Sequence, residues 1–197
     1  MAVWPGDGGV VLTKTSSMAD GDSCNVTRLE MGVHTGTHVD APSHFVLGGS
    51  TVEAMALDAL IGPAYVLDLP DVRDSVMAED LAAAPACERL ILRTANTARG
   101  LLTSESFCED FAHISGAAAA AIAERGIRLV GVDYLSVEGF RPGSHAVHDT
   151  LLEAGIVLVE GLDLREVSGG LWRIVCLPLK LEGADGSPAR VIFERDA

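Results

Sequence analysis

Short apolar runs separated by Gly, Pro and Asp divide the chain, and the length and period of each run decide what it becomes. Residues 64–69 (Ala-Tyr-Val-Leu-Asp-Leu), 89–94 (Arg-Leu-Ile-Leu-Arg-Thr), 127–133 and 156–160 are rich in Val, Ile and Leu and nearly continuous, the pattern of strands buried on both faces. Residues 10–14 and 24–31 read as shorter strands around the polar turn Ala19-Asp20-Gly21-Asp22. Between these lie four helical candidates. They are 51–60, ending at Gly62-Pro63; 75–84; the Ala-rich 116–125, with Ser115 placed to cap it and Gly126 to close it; and 146–154, closed by Gly155. The chain ends as a strand over 173–181, a turn over 183–188 and a strand over 189–194. Strands alternating with helices predict α/β layers.

At 197 residues without internal repeat, linker or composition break, the chain reads as one domain, 1–197, able to bury a substantial core. A net charge of −14 repels phosphate backbones and anionic lipid, so neither nucleic acid nor a membrane surface is an expected partner. Cys24, Cys87, Cys108 and Cys176 are scattered without a Cys-x-x-Cys pair, which excludes a zinc ribbon and a thioredoxin motif. They read as reduced thiols. No signal peptide or bilayer-length apolar run is visible, and a cytoplasmic protein is expected.

The chemistry is concentrated in His34-Thr35-Gly36-Thr37-His38-Val39-Asp40-Ala41-Pro42-Ser43-His44, which holds three of the six histidines and a carboxylate. Imidazole and carboxylate together suit Zn²⁺, Mn²⁺ or Fe²⁺. On a helix Asp40 would lie roughly 600° of rotation from His34 and off the His34/His38 face. Gly36, Pro42 and the β-branched residues favour extended backbone, on which the even offsets of His34, His38, Asp40 and His44 turn all four side chains one way. The segment is expected as a strand or loop edge lining a pocket, with His44 open as a ligand, a partner to a ligand, or a free acid/base.

His-x-Gly-Thr-His-x-Asp-x-Pro-x-His resembles the signature of the cyclase-like metal-dependent hydrolases, which include bacterial kynurenine formamidases and isatin hydrolases. The resemblance implies that His34, His38 and Asp40 bind metal and that His44 is the general acid/base. It also implies a second ligand pair, a His and a Glu twelve residues later, which His148 and Glu160 match. The closing Leu177-Pro178-Leu179-Lys180 and Gly183-Ala184-Asp185-Gly186 resemble the family's last segment, and Trp4-Pro5-Gly6-Asp7 its first, in which the Trp borders the substrate. A strand that usually precedes this first segment is expected to be absent. Tyr134-Leu135-Ser136 stands where formamidases tend to carry Thr-Pro-Ser.

From the resemblance follow a swivelling β/β/α fold and a homodimer or homotetramer. Five ligands exceed a tetrahedral set, and two are carboxylates able to bridge, so a binuclear Zn²⁺ or Mn²⁺ centre is expected. The reaction implied is hydrolysis of a small-molecule amide or formamide C–N bond. Cyclic amides, lactones and esters are alternatives that use the same chemistry, and a metal sensor without turnover is an alternative of another class. Asp133, at the end of a strand, is expected to anchor the loop after it; His145 and His113 are expected to stand outside the chemistry.

Overall fold

The computed structural model describes residues 1–140 and 143–195; Arg141 and Pro142, inside the loop expected over 136–144, and the last two residues lie outside the described residues. In chain order the strands are β1 (Val11–Ser16), β2 (Val26–Glu30), β3 (His38–Asp40), β4 (Ile61–Leu69), β5 (Ser75–Val76), β6 (Arg89–Thr94), β7 (His113–Ile114), β8 (Leu129–Val132), β9 (Val157–Glu160), β10 (Gly170–Pro178) and β11 (Gly186–Glu194). The helices are α1 (Leu57–Leu60), α2 (Ala95–Ala98), α3 (Gly116–Glu124) and α4 (Ala146–Glu153).

Seven strands close a barrel in the order β10-β11-β3-β9-β8-β6-β4. The buried strands β4, β6, β8 and β9 run parallel to one another, and the rest of the ladder is antiparallel. Period-two alternation sorts the apolar side chains of the parallel strands. Leu90, Leu92, Val130 and Leu158 face the layer formed by α3 and α4, whereas Ile91, Leu129, Val157 and Val159 face the barrel interior. Gly131 sits on the interior face of β8, where a Cβ would come within 2.6 Å of Leu162 and 2.7 Å of Ile91. Helix α3 begins as its sequence implies, with Ser115 Oγ accepting from Ala118 N at 3.2 Å, and Gly126 follows it at φ +72°.

Two expected helices do not form as such. In 51–60 only a 3-10 turn at Val52–Ala54 and the single turn α1 are helical, because the buried Arg89 side chain takes the Asp58 and Ala59 carbonyls as acceptors and fixes the corner into β4. In 75–84 the first two residues pair with β7, and a 3-10 turn at Asp80–Ala83 follows, started by Asp80 Oδ2 accepting from Met77 N. The tertiary partner overrides local helix propensity at both places. His113, expected at the surface or at a helix N-terminus, instead lies half-buried in β7, its Nε2 3.3 Å from Ser75 Oγ.

Asp133 anchors a loop, but the one after β6 rather than the one that follows it. Its carboxylate accepts from Thr94 N and Oγ1, Asn96 Nδ2, and Thr97 N and Oγ1, at 2.7–3.3 Å. Asp133→Ala strands these buried donors. It is expected to cost about 3 kcal/mol or more and to lower the melting midpoint by roughly 6–12 °C. A shift under ~2 °C in a thermal melt would remove the anchor role.

The β1–β2 hairpin stands apart from the barrel as a two-stranded ribbon with Leu12 67%, Val26 46% and Leu29 53% exposed. Among the described residues no helix is long and apolar enough to cross a membrane.

Candidate metal centre

The site is built on the ladder between β3 and β9. His38 pairs directly with Glu160 in this antiparallel register, so both side chains leave the same face, and Asp40 joins them two residues along β3. Only His38–Asp40 forms a strand. His34 arrives from a turn through Gly36 at φ +75°, and His44 from the 3-10 turn Pro42–His44, so the expected single ribbon for all four residues is corrected to a strand flanked by two turns.

Glycines make the close packing feasible. A Cβ on Gly186 would lie 2.5 Å from His34 Cε1, and one on Gly161, at φ +69°, 2.4 Å from Gly36 O. Gly49 presses on the backbone of Pro42 and Ser43, where a Cβ would meet Pro42 C at 2.6 Å. It supports the His44 turn.

All five residues expected as ligands converge. His34 Nδ1 is 2.8 Å and His38 Nε2 3.4 Å from Asp40 Oδ1; His38 Nε2 and His148 Nε2 are 3.4 and 3.5 Å from the two Glu160 oxygens; and His148 Nε2 is 4.0 Å from Asp40 Oδ2. Two donor sets result, His34/His38/Asp40 and Asp40/His148/Glu160, each with its ligand atoms within 4.8 Å of one another. Asp40 belongs to both. Its Oδ2 is buried without a hydrogen-bond partner among the described residues.

Electrostatics explain how two buried carboxylates coexist. Burial and the charge of Asp40 push Glu160 up, yet His148 and His38 hold it below its usual range, while His34 and His38 keep Asp40 well below the carboxylate range against burial. Reciprocally, burial pulls His38 and His148 down, but their carboxylate partners prevail and raise each to about 10, with Asp40 and Glu160 acting on His38 and Glu138 and Glu160 leading on His148. Positive charge among these atoms is therefore a requirement of the site. A divalent cation meets it, and the mixed N/O donors and the unpartnered Asp40 oxygen fit one.

His44 differs from the others. Its ring stacks on His34 at 3.9 Å, with Nδ1 3.4 Å from Asp185 Oδ2, and burial lowers its pKa below the ordinary value despite the pull of Asp40. It borders a cavity of about 260 Å³ walled by Trp4, Asp7, Phe45, Leu135, Ser136 and His145. Trp4 is held edge-on against Phe107 and Phe140 at 5.1 and 5.4 Å. Tyr134 is buried behind the wall, its hydroxyl accepting from Cys108 N at 2.9 Å, so Leu135 and Ser136 are the members of that tripeptide that reach the cavity.

Three residues were not legible as part of the site. Asp185 Oδ2 accepts from His34 Nε2 at 2.9 Å, Glu138 Oε2 accepts from His148 Nδ1 at 2.9 Å, and the Phe45 ring stacks on His148 at 4.3 Å. His145, expected as a bystander, lines the cavity with Nδ1 3.5 Å from Glu138 Oε2. The Gly-Ala-Asp-Gly segment was the available signal for Asp185, although its turn composition alone accounts for it.

A family model described as "Putative cyclase" matches residues 1–139, and the kynurenine formamidase of Bacillus cereus is 36% identical over 195 residues, covering 98% of this chain and 91% of its own. The chain belongs to the cyclase family. A solved structure described as a potential metal-dependent hydrolase with cyclase activity superposes at a TM-score of 0.80 with 36% identity, over 94% of this chain and 88% of that one. Isatin hydrolase A from Labrenzia aggregata shares the fold at a TM-score of 0.79 and 24% identity, over 94% of this chain and 82% of its own. The α/β architecture expected from the resemblance is thus that of the cyclase family, with the barrel as its central sheet.

Proposed function

We propose that this cyclase-family chain is a metal-dependent hydrolase of small-molecule C–N bonds outside peptides, of the arylformamidase type. The observation that carries the reading is the convergence of Asp40, Glu160, His34, His38 and His148 beside His44 at the wall of an open cavity. His34, His38 and Asp40 would hold one divalent ion and Asp40, His148 and Glu160 a second, with Zn²⁺ or Mn²⁺ suited to the donors. A divalent metal, when bound, polarises the scissile carbonyl and lowers the pKa of water toward ~7.

The chain's own groups complete the chemistry. His44, whose neutral form burial favours, would take a proton from the attacking water as its oxygen bonds to the carbonyl carbon and deliver it to the leaving nitrogen as the C–N bond breaks. Trp4, fixed by its aromatic neighbours, offers a face to an aryl ring, and Leu135 narrows the same wall with an apolar side chain. N-formyl aryl amines such as N-formylkynurenine are the substrate class that this reading puts first. A His44 that borders the cavity and stands outside both donor sets sharing Asp40 favours turnover over a sensor, whose coordination sphere protein side chains would close.

The exposed apolar hairpin supports a homo-oligomer, since an isolated two-stranded ribbon is marginally stable in water. The four free cysteines suit a cytoplasmic setting. Protein purified without added metal is expected to retain a divalent ion and to release formate from N-formylkynurenine, losing turnover with a chelator and regaining it with Zn²⁺ or Mn²⁺. Absence of retained metal, measured by elemental analysis, would overturn the reading.

A further inference from the structure

The edge of His148 turned away from Asp40 and Glu160 meets another carboxylate. Glu138, 5% exposed, accepts from His148 Nδ1 through Oε2 and from Val147 N through Oε1, both at 2.9 Å. The preceding residue holds the opposite partner, because Val137 N donates to Glu160 Oε1 at 2.7 Å. Consecutive residues of one loop therefore grip the two members of the second donor pair.

Residues 136–139 are themselves held in place. Glu138 N donates to Ser136 Oγ at 3.1 Å, and Val137 O accepts from Ile114 N at 2.8 Å. Gly139 lies so close to the His113 ring that a Cβ there would stand 3.0 Å from it. An imidazole that gives its Nδ1 proton to a fixed acceptor has one nitrogen left for a metal, and its ring plane is set.

We infer that Glu138 is a positioning residue, which holds the proton on His148 Nδ1 and so commits Nε2 to the Asp40–Glu160 side of the candidate metal centre. The inference rests on the proposed metal site and adds to it a residue that acts through His148. Glutamine at this position keeps the volume but has one oxygen for two donors, so either His148 or Val147 loses its acceptor. Aspartate keeps both oxygens on a shorter arm.

The test uses Zn²⁺-loaded wild type, Glu138→Gln and Glu138→Asp, with Zn²⁺ withdrawn by a chromophoric chelator and ring ¹⁵N shifts of His148 recorded by NMR. Glu138→Gln is expected to hold Zn²⁺ about 10–100-fold more weakly, with displaced His148 shifts and a partial recovery in Glu138→Asp. Melting of the metal-free forms separates a structural role, which would lower the midpoint while leaving Zn²⁺ affinity of the folded protein unchanged. Equal Zn²⁺ retention and unchanged His148 shifts in Glu138→Gln would overturn the inference and leave the metal site standing. Wild type that holds no Zn²⁺ would overturn both.

Discussion

Replacing His44 with alanine is expected to lower kcat by ~10²–10⁴-fold while the protein keeps its metal and its melting midpoint. His44 belongs to neither of the donor sets that share Asp40, so its loss leaves those ligands in place. Its imidazole is presented from a short turn, stacked on His34 and bordering the cavity, where a proton has to move between water and a leaving nitrogen. Burial depresses its pKa below 6.5. A reaction that needs neutral His44 therefore falls as pH drops through that depressed value, and this component of the acid limb should be missing in His44→Ala. Initial rates across a pH series, with metal content measured on the same samples, decide the matter. A kcat within ~3-fold of wild type would remove His44 from the chemistry.

Asp40→Asn is expected to abolish metal retention and with it turnover, since Asp40 is the residue common to both donor sets. In the metal-free protein it should also cost about 3 kcal/mol, because it removes the buried carboxylate shared by His34 and His38 and leaves them only Asp185 and Glu160. The sign of the pH dependence follows from both partners. Asp40 is depressed, so its contribution is present above its ordinary 3.8; His38 is raised to about 10, so its contribution is complete below 6.5 and fades as pH rises toward that value. The stability gap between wild type and Asp40→Asn should therefore be widest between pH 3.8 and 6.5 and narrow in alkali. Thermal melts of both metal-free proteins read it directly, and a gap that widened with pH would contradict the pairing.

Much of this site is written locally, and much is not. The strands at β4, β6, β8 and β9 announce themselves as apolar runs because they are covered on both faces, and Ser115 and Gly126 mark the ends of α3 through local hydrogen bonds and φ. His34, His38, Asp40 and His44 fall within eleven residues, whereas His148 and Glu160 were legible only through the family resemblance, whose second ligand pair they match. Most of the failures share one physical cause. Residues 51–60 and 75–84 have helical composition, but Arg89 and β7, both distant in sequence, claim their backbone groups. Glu138 and Asp185 are single carboxylates in loops; Asp185 meets His34 only once β3 and β11 have paired, and Glu138 meets His148 across ten residues of chain that leave no periodic signal.

That dependence on distant strands has a consequence for how the protein is made. Strand β3 is only three residues long and is held between β9 on one side and β11 on the other, with Asp40 opposite Gly186 and His38 opposite Pro188. A chain still attached to the ribosome carries His34, His38 and Asp40 from early in synthesis but lacks both flanking strands. The motif around residue 40 thus becomes ordered only once residues near position 188 have been made, and the loop-closure entropy of joining the two is met late. Metal should load only after β11 has been made, and nascent chains that stall before β11 should carry a histidine-rich segment with no cage around it.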